Sequence, residues 1–207
     1  MKAYLEIKRQ PLPNYEAAGL WGALHKSAKE HGYRSFVWYG LVRLKDHYLN
    51  FWSRTCPWNK LRIVMQRARG VAIGKNVHWG TEITIDAPFP YFVKVEDGAS
   101  LAGNNYIITH NKPLAYHQEC SESYVAPVTI HKHAWVAVGV TILPGVEIGE
   151  GSIVSANSLV QKSIPPMVVA GGNPAKVIAD ISECLRKNYS PEEFERILAY
   201  RKKKYKM

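Results

Sequence analysis

Residues 130–160 read IHKHAWVAVGVTILPGVEIGEGSIVSANSLV, and every sixth position from the first is aliphatic: Ile130, Val136, Ile142, Ile148, Val154 and Val160. A period of six matches neither the 3.6-residue turn of an α-helix nor the alternation of a simple strand. Two shorter registers upstream keep the same step, one through Ile73, Trp79 and Ile85, the other through Val95, Leu101 and Ile107. Eleven of these twelve positions are Ile, Val or Leu. Small or turn-forming residues follow many of them, as in Ile73-Gly74, Trp79-Gly80, Leu101-Ala102, Val136-Ala137 and Ile148-Gly149.

This pattern predicts an all-β core built as a triangular solenoid. Each hexad supplies one short strand and one turn, and three hexads close a coil. The aliphatic residue points inward and stacks on its equivalents above and below. Breaks in the register mark departures from the coil. The step from Ile85 to Val95 is ten, with Pro88, Phe89 and Pro90 in the gap, so a few residues bulge there. The step from Ile107 to Ile130 is twenty-three, one short of four hexads, and residues 111–127 lack the pattern. A loop of that length in a compact domain is usually functional or disordered, and a plain surface loop is the simpler alternative.

The two ends read differently. Residues 1–70 hold 13 Lys+Arg against 4 Asp+Glu, residues 71–179 hold 6 against 8, and residues 180–207 hold 8 against 5. The formal charge of +10 therefore belongs to the ends, and such ends suit nucleic acid or an anionic membrane surface. Residues 15–53 are rich in helix formers, and Val37, Leu41, Leu44 and Tyr48 form an apolar stripe at helical spacing. Trp21, Trp38, Trp52 and Trp58 lie among the basic residues of this region. They suit either packing of helices against the solenoid and other subunits or contact with a membrane interface. Ser190-Pro191-Glu192-Glu193 is a helix start with a capping box and Pro in the first turn. Three regions result: a basic, Trp-rich helical region (1–70), a solenoid (71–179) with its excursion (111–127), and a C-terminal helix with a basic tail (180–207). Cys56, Cys120 and Cys184 are too few and too scattered for a disulfide scaffold or a zinc knuckle, which fits a reducing compartment. The opening MKAYLEIKRQPLPNY has no apolar run of the secretory kind, so a cytoplasmic protein is expected, peripheral at the inner face of the membrane if the basic region binds there.

From Trp135 to Ile178, with Leu143-Pro144-Gly145-Val146, Pro165-Pro166 and Gly172-Asn173-Pro174-Ala175-Lys176 in order, the chain resembles the hexapeptide-repeat acyltransferases. It is most similar to the galactoside and maltose O-acetyltransferases and the acetyltransferases of bacterial surface-polysaccharide synthesis. The resemblance covers about half the chain, and the first 60 residues stand outside it. It implies a left-handed parallel β-helix, a homotrimer with sites in the clefts between solenoids, acetyl-CoA as donor, no metal, and a sugar or glycan acceptor, free or lipid-linked. Nucleic acid is not a partner on this reading.

A hydroxyl that attacks a thioester needs a base titrating near neutrality, and the tetrahedral oxyanion needs a hydrogen-bond donor. His110, twenty-five residues ahead of Trp135, matches the family's general base. Val138 and Gly139 match the backbone at the oxyanion, although the side chain that the family often carries there is absent. Ala156 matches a pantetheine contact, Lys162 a basic residue near the phosphates, and Lys176 adds a second cation. Gln161 and Ala179 depart from the commoner Thr and Arg, which leaves the phosphate contacts open. For the acceptor, Asn105, Tyr116 and His117 flank His110 and are the candidates, and His117 is next in line as base. An amino-sugar acceptor with N-acetylation is the alternative within this chemistry. A zinc-dependent γ-class carbonic anhydrase is the alternative outside it, since His78, His110, His117, His131 and His133 provide imidazoles, though not at that family's spacing.

Overall fold

The computed structural model describes residues 10–11, 28, 32–113, 117 and 120–206. Two-residue strands dominate the middle of the chain and stack in parallel on three faces. One face carries Ala72–Ile73, Val93–Val95, Val128–Ile130 and Glu147–Ile148. The next carries His78–Trp79, Ser100–Leu101, Trp135–Val136, Ile153–Val154 and Val168–Gly172. The third carries Thr84–Ile85, Tyr106–Ile107, Thr141–Ile142 and Leu159–Val160. The hexad residues form vertical columns, such as Ile85, Ile107, Ile142 and Val160, each opposite the next in register. All are buried, as the repeat predicts, except Ile73 in the first coil, which is only partly covered.

A second inward column lies two residues before the first, because alternate residues of a strand share a face. It runs Val71, Val77, Ile83, then Val93, Ala99, Asn105, then Val128, Ala134, Val140, Val146, Ser152 and Ser158, all buried. The stack is thus packed from two positions in each hexad, and burial of each aliphatic side chain contributes about 1.5–3 kcal/mol. Two corners are turned by residues in the left-handed region. Asn76, Gly98, His133, Gly151 and Met167 serve one corner, and Glu82, Asn104, Gly139 and Asn157 the other.

The excursion is more ordered than its lack of period suggests. His110–Asn111 pairs antiparallel with Tyr124–Val125, and Gln10–Pro11 adds a third strand from the N-terminal region. A six-residue period cannot reveal such a ribbon, since its strands are short and lie off the coil.

Helix α1 (Phe36–Thr55) and helix α2 (Asn59–Ala68) form an antiparallel hairpin over the first coil. That coil has an open edge of unpaired carbonyls, which the hairpin satisfies. Arg62 Nε donates to Trp79 O at 2.7 Å, Asn59 Nδ2 to Val77 O at 3.1 Å, and Arg67 Nη2 to Ile73 O at 2.9 Å. Covering an edge this way removes a template for aggregation. At the far end, Ala175–Asp180 folds back antiparallel on Val168–Gly172. Helix α3 (Ser182–Leu185) follows, and then helix α4 (Pro191–Tyr205), which opens with the expected Ser190/Glu193 capping box. Helix α4 buries Phe194 and Ile197 against Met167, and Lys204 Nζ reaches Glu147 at 2.6 Å.

Candidate active site

His110 begins the excursion at the corner where the chain leaves the third face. Its Nδ1 is hydrogen-bonded to the carboxylate of Asp86, which occupies the same corner one coil earlier. The Asp86 side chain is 6% exposed and that of His110 is 27% exposed. Asp86 also accepts from the Thr109 N–H at 3.1 Å and the Thr109 hydroxyl at 2.9 Å. Burial pushes the Asp86 carboxyl up, but the bonds from His110 and Thr109 outweigh it and hold the group below the usual carboxylate range. An ionised carboxylate only accepts, so Nδ1 carries the hydrogen, and in the neutral imidazole the lone pair is on Nε2. Phe89 lies beside the imidazole, with ring centroids 5.7 Å apart, and supplies an apolar wall from the bulge at 86–92.

Sequence reading missed Asp86. It is the residue after the hexad position Ile85, but only the coil-to-coil register shows that it stands under His110.

The expected cofactor residues lie elsewhere. Val138 and Gly139 turn the corner between the second and third faces, and Ala156 stands one coil above them on that corner. Gly139 holds φ +74°, and a Cβ on it would meet Asn157 Oδ1 at 2.2 Å, so the turn requires glycine. Its N–H donates to Gly103 O at 3.1 Å and is not available to an oxyanion, which corrects the expectation for this residue. The neighbouring Val138 N–H has no acceptor among the described residues, and the side chain is exposed. Ala156, Lys162 and Lys176 are all exposed. Within one chain, therefore, His110 and Asp86 occupy one corner while Val138 and Ala156 occupy another.

The acceptor residues fare unevenly. Asn105 is not near the excursion surface: it is fully buried, donating from Nδ2 to Ala102 O at 2.8 Å and accepting from Val140 N at 2.8 Å. It is corrected from a substrate residue to a member of the second inward column. That signal was present in the sequence, since steps of six from Val93 pass through Ala99 to Asn105. His117 is exposed on the excursion, and Tyr116 lies outside the described residues. His131 lies at the remaining corner, 3.3 Å from Glu96 and 3.4 Å from Glu147. Among the described residues no three of His, Cys, Asp and Glu converge as metal ligands.

The bacterial transferase hexapeptide (six repeats) family matches residues 127–162, the span of the unbroken register. The galactoside O-acetyltransferase of Escherichia coli (strain K12) is 32% identical over 127 residues, 61% of this chain and 62% of that one. A maltose O-acetyltransferase from Clostridium difficile 630 superposes with a TM-score of 0.55 at 28% identity, over 67% of this chain and 86% of that structure. Over these residues the chain is similar to the hexapeptide-repeat acetyltransferases. Its solenoid is a left-handed parallel β-helix. The same fold recurs in a hexapeptide-repeat acetyltransferase from Vibrio cholerae O1 biovar eltor, solved with acetyl coenzyme A, with a TM-score of 0.57 at 21% identity over 69% of this chain and 88% of that one. The chain spans less than two thirds of the length of the first curated relatives it matches, with 62%, 47% and 55% covered. The N-terminal hairpin is thus carried on a left-handed β-helix of hexapeptide repeats.

Proposed function

We propose that the protein transfers an acetyl group from acetyl-CoA to a hydroxyl of a sugar, in the synthesis of a surface polysaccharide or lipopolysaccharide. The observation that carries this reading is the hydrogen bond from His110 Nδ1 to the Asp86 carboxylate at the root of the excursion. It leaves Nε2 as the base. In the reaction, Nε2 takes the proton of the acceptor hydroxyl as its oxygen bonds to the thioester carbonyl carbon. The carbonyl oxygen becomes an oxyanion and accepts from the Val138 N–H. As the C–S bond breaks, the CoA sulfur leaves with the proton held on Nε2, and the acetyl ester remains on the sugar. Asp86 stabilises the imidazolium that forms between the two transfers.

The positions of the two corners support a homotrimer, because His110 of one subunit meets Val138 and Ala156 only across a subunit boundary. Lys162 and Lys176, exposed at the C-terminal coils, are the cations for the phosphates. His117 lies on the excursion beside the acceptor, and Tyr116 belongs to the same segment. The names of the galactoside and maltose relatives support a sugar rather than another alcohol. A location at the cytoplasmic face of a membrane, through the basic N-terminal region, would place the enzyme beside a lipid-linked acceptor.

The test is thiol release from acetyl-CoA over a panel of sugars, nucleotide sugars, amino sugars and lipid-linked oligosaccharides. Release that depends on a hydroxyl sugar is the expected result. Release only with amino sugars would make the reaction N-acetylation, and no acceptor-dependent release across the panel would sink the proposal.

A further inference from the structure

Helix α1 is amphipathic the wrong way round for a helix packed on a core. Tyr39, Asp46 and Ser53 recur every seven residues and are its buried side chains. Val37, Leu41, Leu44, Tyr48, Phe51 and Trp52 are exposed. At about 100° per residue the first set lies opposite the second, which spans an arc of roughly 100°. The inward side is polar because its work is bonding. Ser53 Oγ accepts from Gln66 at 2.6 Å, Asn50 Oδ1 accepts from Arg69 at 2.8 Å, Arg54 pairs with Glu82 at 2.8 Å, and Arg43 donates to Ala87 O. Helix α2 continues the outward face with Leu61 and Val64, and Trp58 caps it, 68% exposed.

We infer that this outward face of the α1–α2 hairpin lies flat in the interfacial layer of an anionic lipid bilayer. Three observations select that occupant. Within residues 34–69 the exposed charged side chains are Arg34, Lys45, Lys60 and Arg67, and the one acid, Asp46, is buried, so the hairpin presents positive charge with apolar surface. Trp38, Trp52, Trp58 and Tyr48 beside Arg34, Lys45, Lys60 and Arg67, all exposed, are the residue types of a membrane–water boundary. A second copy meeting it through the same face would set like charges against each other. The stripe from Val37 to Trp52 is about 22 Å long at 1.5 Å per residue, and no described helix is long and apolar enough to cross a membrane. The hairpin therefore rests on the bilayer with its polar side on the β-helix. Because Arg43 bonds the carbonyl of the residue after Asp86, the membrane plane is tied to the corner that holds His110. The inference deepens the peripheral location proposed above and does not depend on acyl transfer.

The experiment is co-sedimentation of the full-length protein with phosphatidylcholine vesicles containing one-third phosphatidylglycerol, against phosphatidylcholine alone. Preferential binding to the anionic vesicles is expected, with a blue shift of tryptophan emission and quenching by brominated lipid. The triple variant Trp38→Ser, Leu44→Ser, Trp52→Ser should weaken binding roughly tenfold, since affinity scales with the apolar area inserted. Its thermal stability, its mass by light scattering and its thiol release with a soluble acceptor should stay as in the parent. Arg34→Gln with Lys60→Gln should weaken binding to anionic vesicles by a similar, salt-dependent factor. Absence of vesicle binding by the parent would overturn the inference. So would a triple variant that binds vesicles normally but changes mass or loses stability, which would make the face a protein–protein contact. Absence of acceptor-dependent transfer by a parent that does bind vesicles would count against the proposed reaction alone.

Discussion

His110 and Asp86, 24 residues apart in the chain, are hydrogen-bonded across one corner of the β-helix, Nδ1 to carboxylate. The bond exists because the third-face strands stack in register, Ile85 opposite Ile107, so that the residues just past each strand fall at one corner. Around it, Thr109 supplies two more hydrogen bonds to the same carboxylate. The imidazole is thereby oriented by a group that is itself held by two bonds from Thr109.

Replacing His110 by Ala removes the proposed base. Steady-state transfer should fall by about 10²–10⁴, the usual contribution of a general base. The far-ultraviolet circular dichroism and the oligomeric mass should not change. Near-parental activity would place the base elsewhere, with His117 tested next.

Asp86→Asn keeps the shape but removes the charge and allows the other imidazole tautomer. Here kcat should drop at least tenfold while KM for acetyl-CoA holds, because Asp86 acts through His110 rather than on the donor. A change confined to KM would contradict this role.

The same carboxyl makes a prediction about pH. Its folded pKa lies below the ordinary value, with burial opposing and the His110 and Thr109 bonds prevailing. It therefore stabilises the fold above the unfolded carboxylate value, about pH 4, and that contribution is lost as pH falls through the lower folded value. Melting temperatures measured from neutral pH downward should show a shallower acid decline in Asp86→Asn than in the parent. Superimposable declines would show that the bond contributes nothing to stability.

Val138→Pro isolates one backbone donor. The turn already has its positive-φ residue at Gly139, and Pro144-Gly145 (φ 81°) shows that this solenoid accepts Pro before such a glycine. The variant should fold and keep the parent's oligomeric mass, yet lose about 10²–10³ in kcat if its N–H holds the oxyanion. Full activity in a folded variant would remove Val138 from the mechanism.

For the fold, Ile142→Ala is the informative change. Ile142 is fully buried between Ile107 and Val160 in its column, and truncation should cost about 2–5 kcal/mol, read as a lowered midpoint in denaturant. A cost below 1 kcal/mol would mean that the columns are not the core.

The solenoid could be read from 130–160 alone because a six-residue inward period has a single economical solution, a coil whose aliphatic residues stack. That same period, followed from Val93, also marks Asn105 as inward, although its polar side chain invites a functional reading until the second column is seen. The Ser190 capping box is likewise local and legible. The stripe at Val37, Leu41, Leu44 and Tyr48 reveals a helix but not which way it faces. Periodicity identifies an apolar side, and only the polar bonds of Asn50, Ser53 and Arg54 to their neighbours turn that side outward. Asp86 had no signal of its own, being one carboxylate among several, and became a partner of His110 through the stacking of coils. Local period and turn chemistry decide that the chain winds into a β-helix. Which residues share a corner, and which face is left to solvent, depends on register between distant segments, a property of the packed molecule.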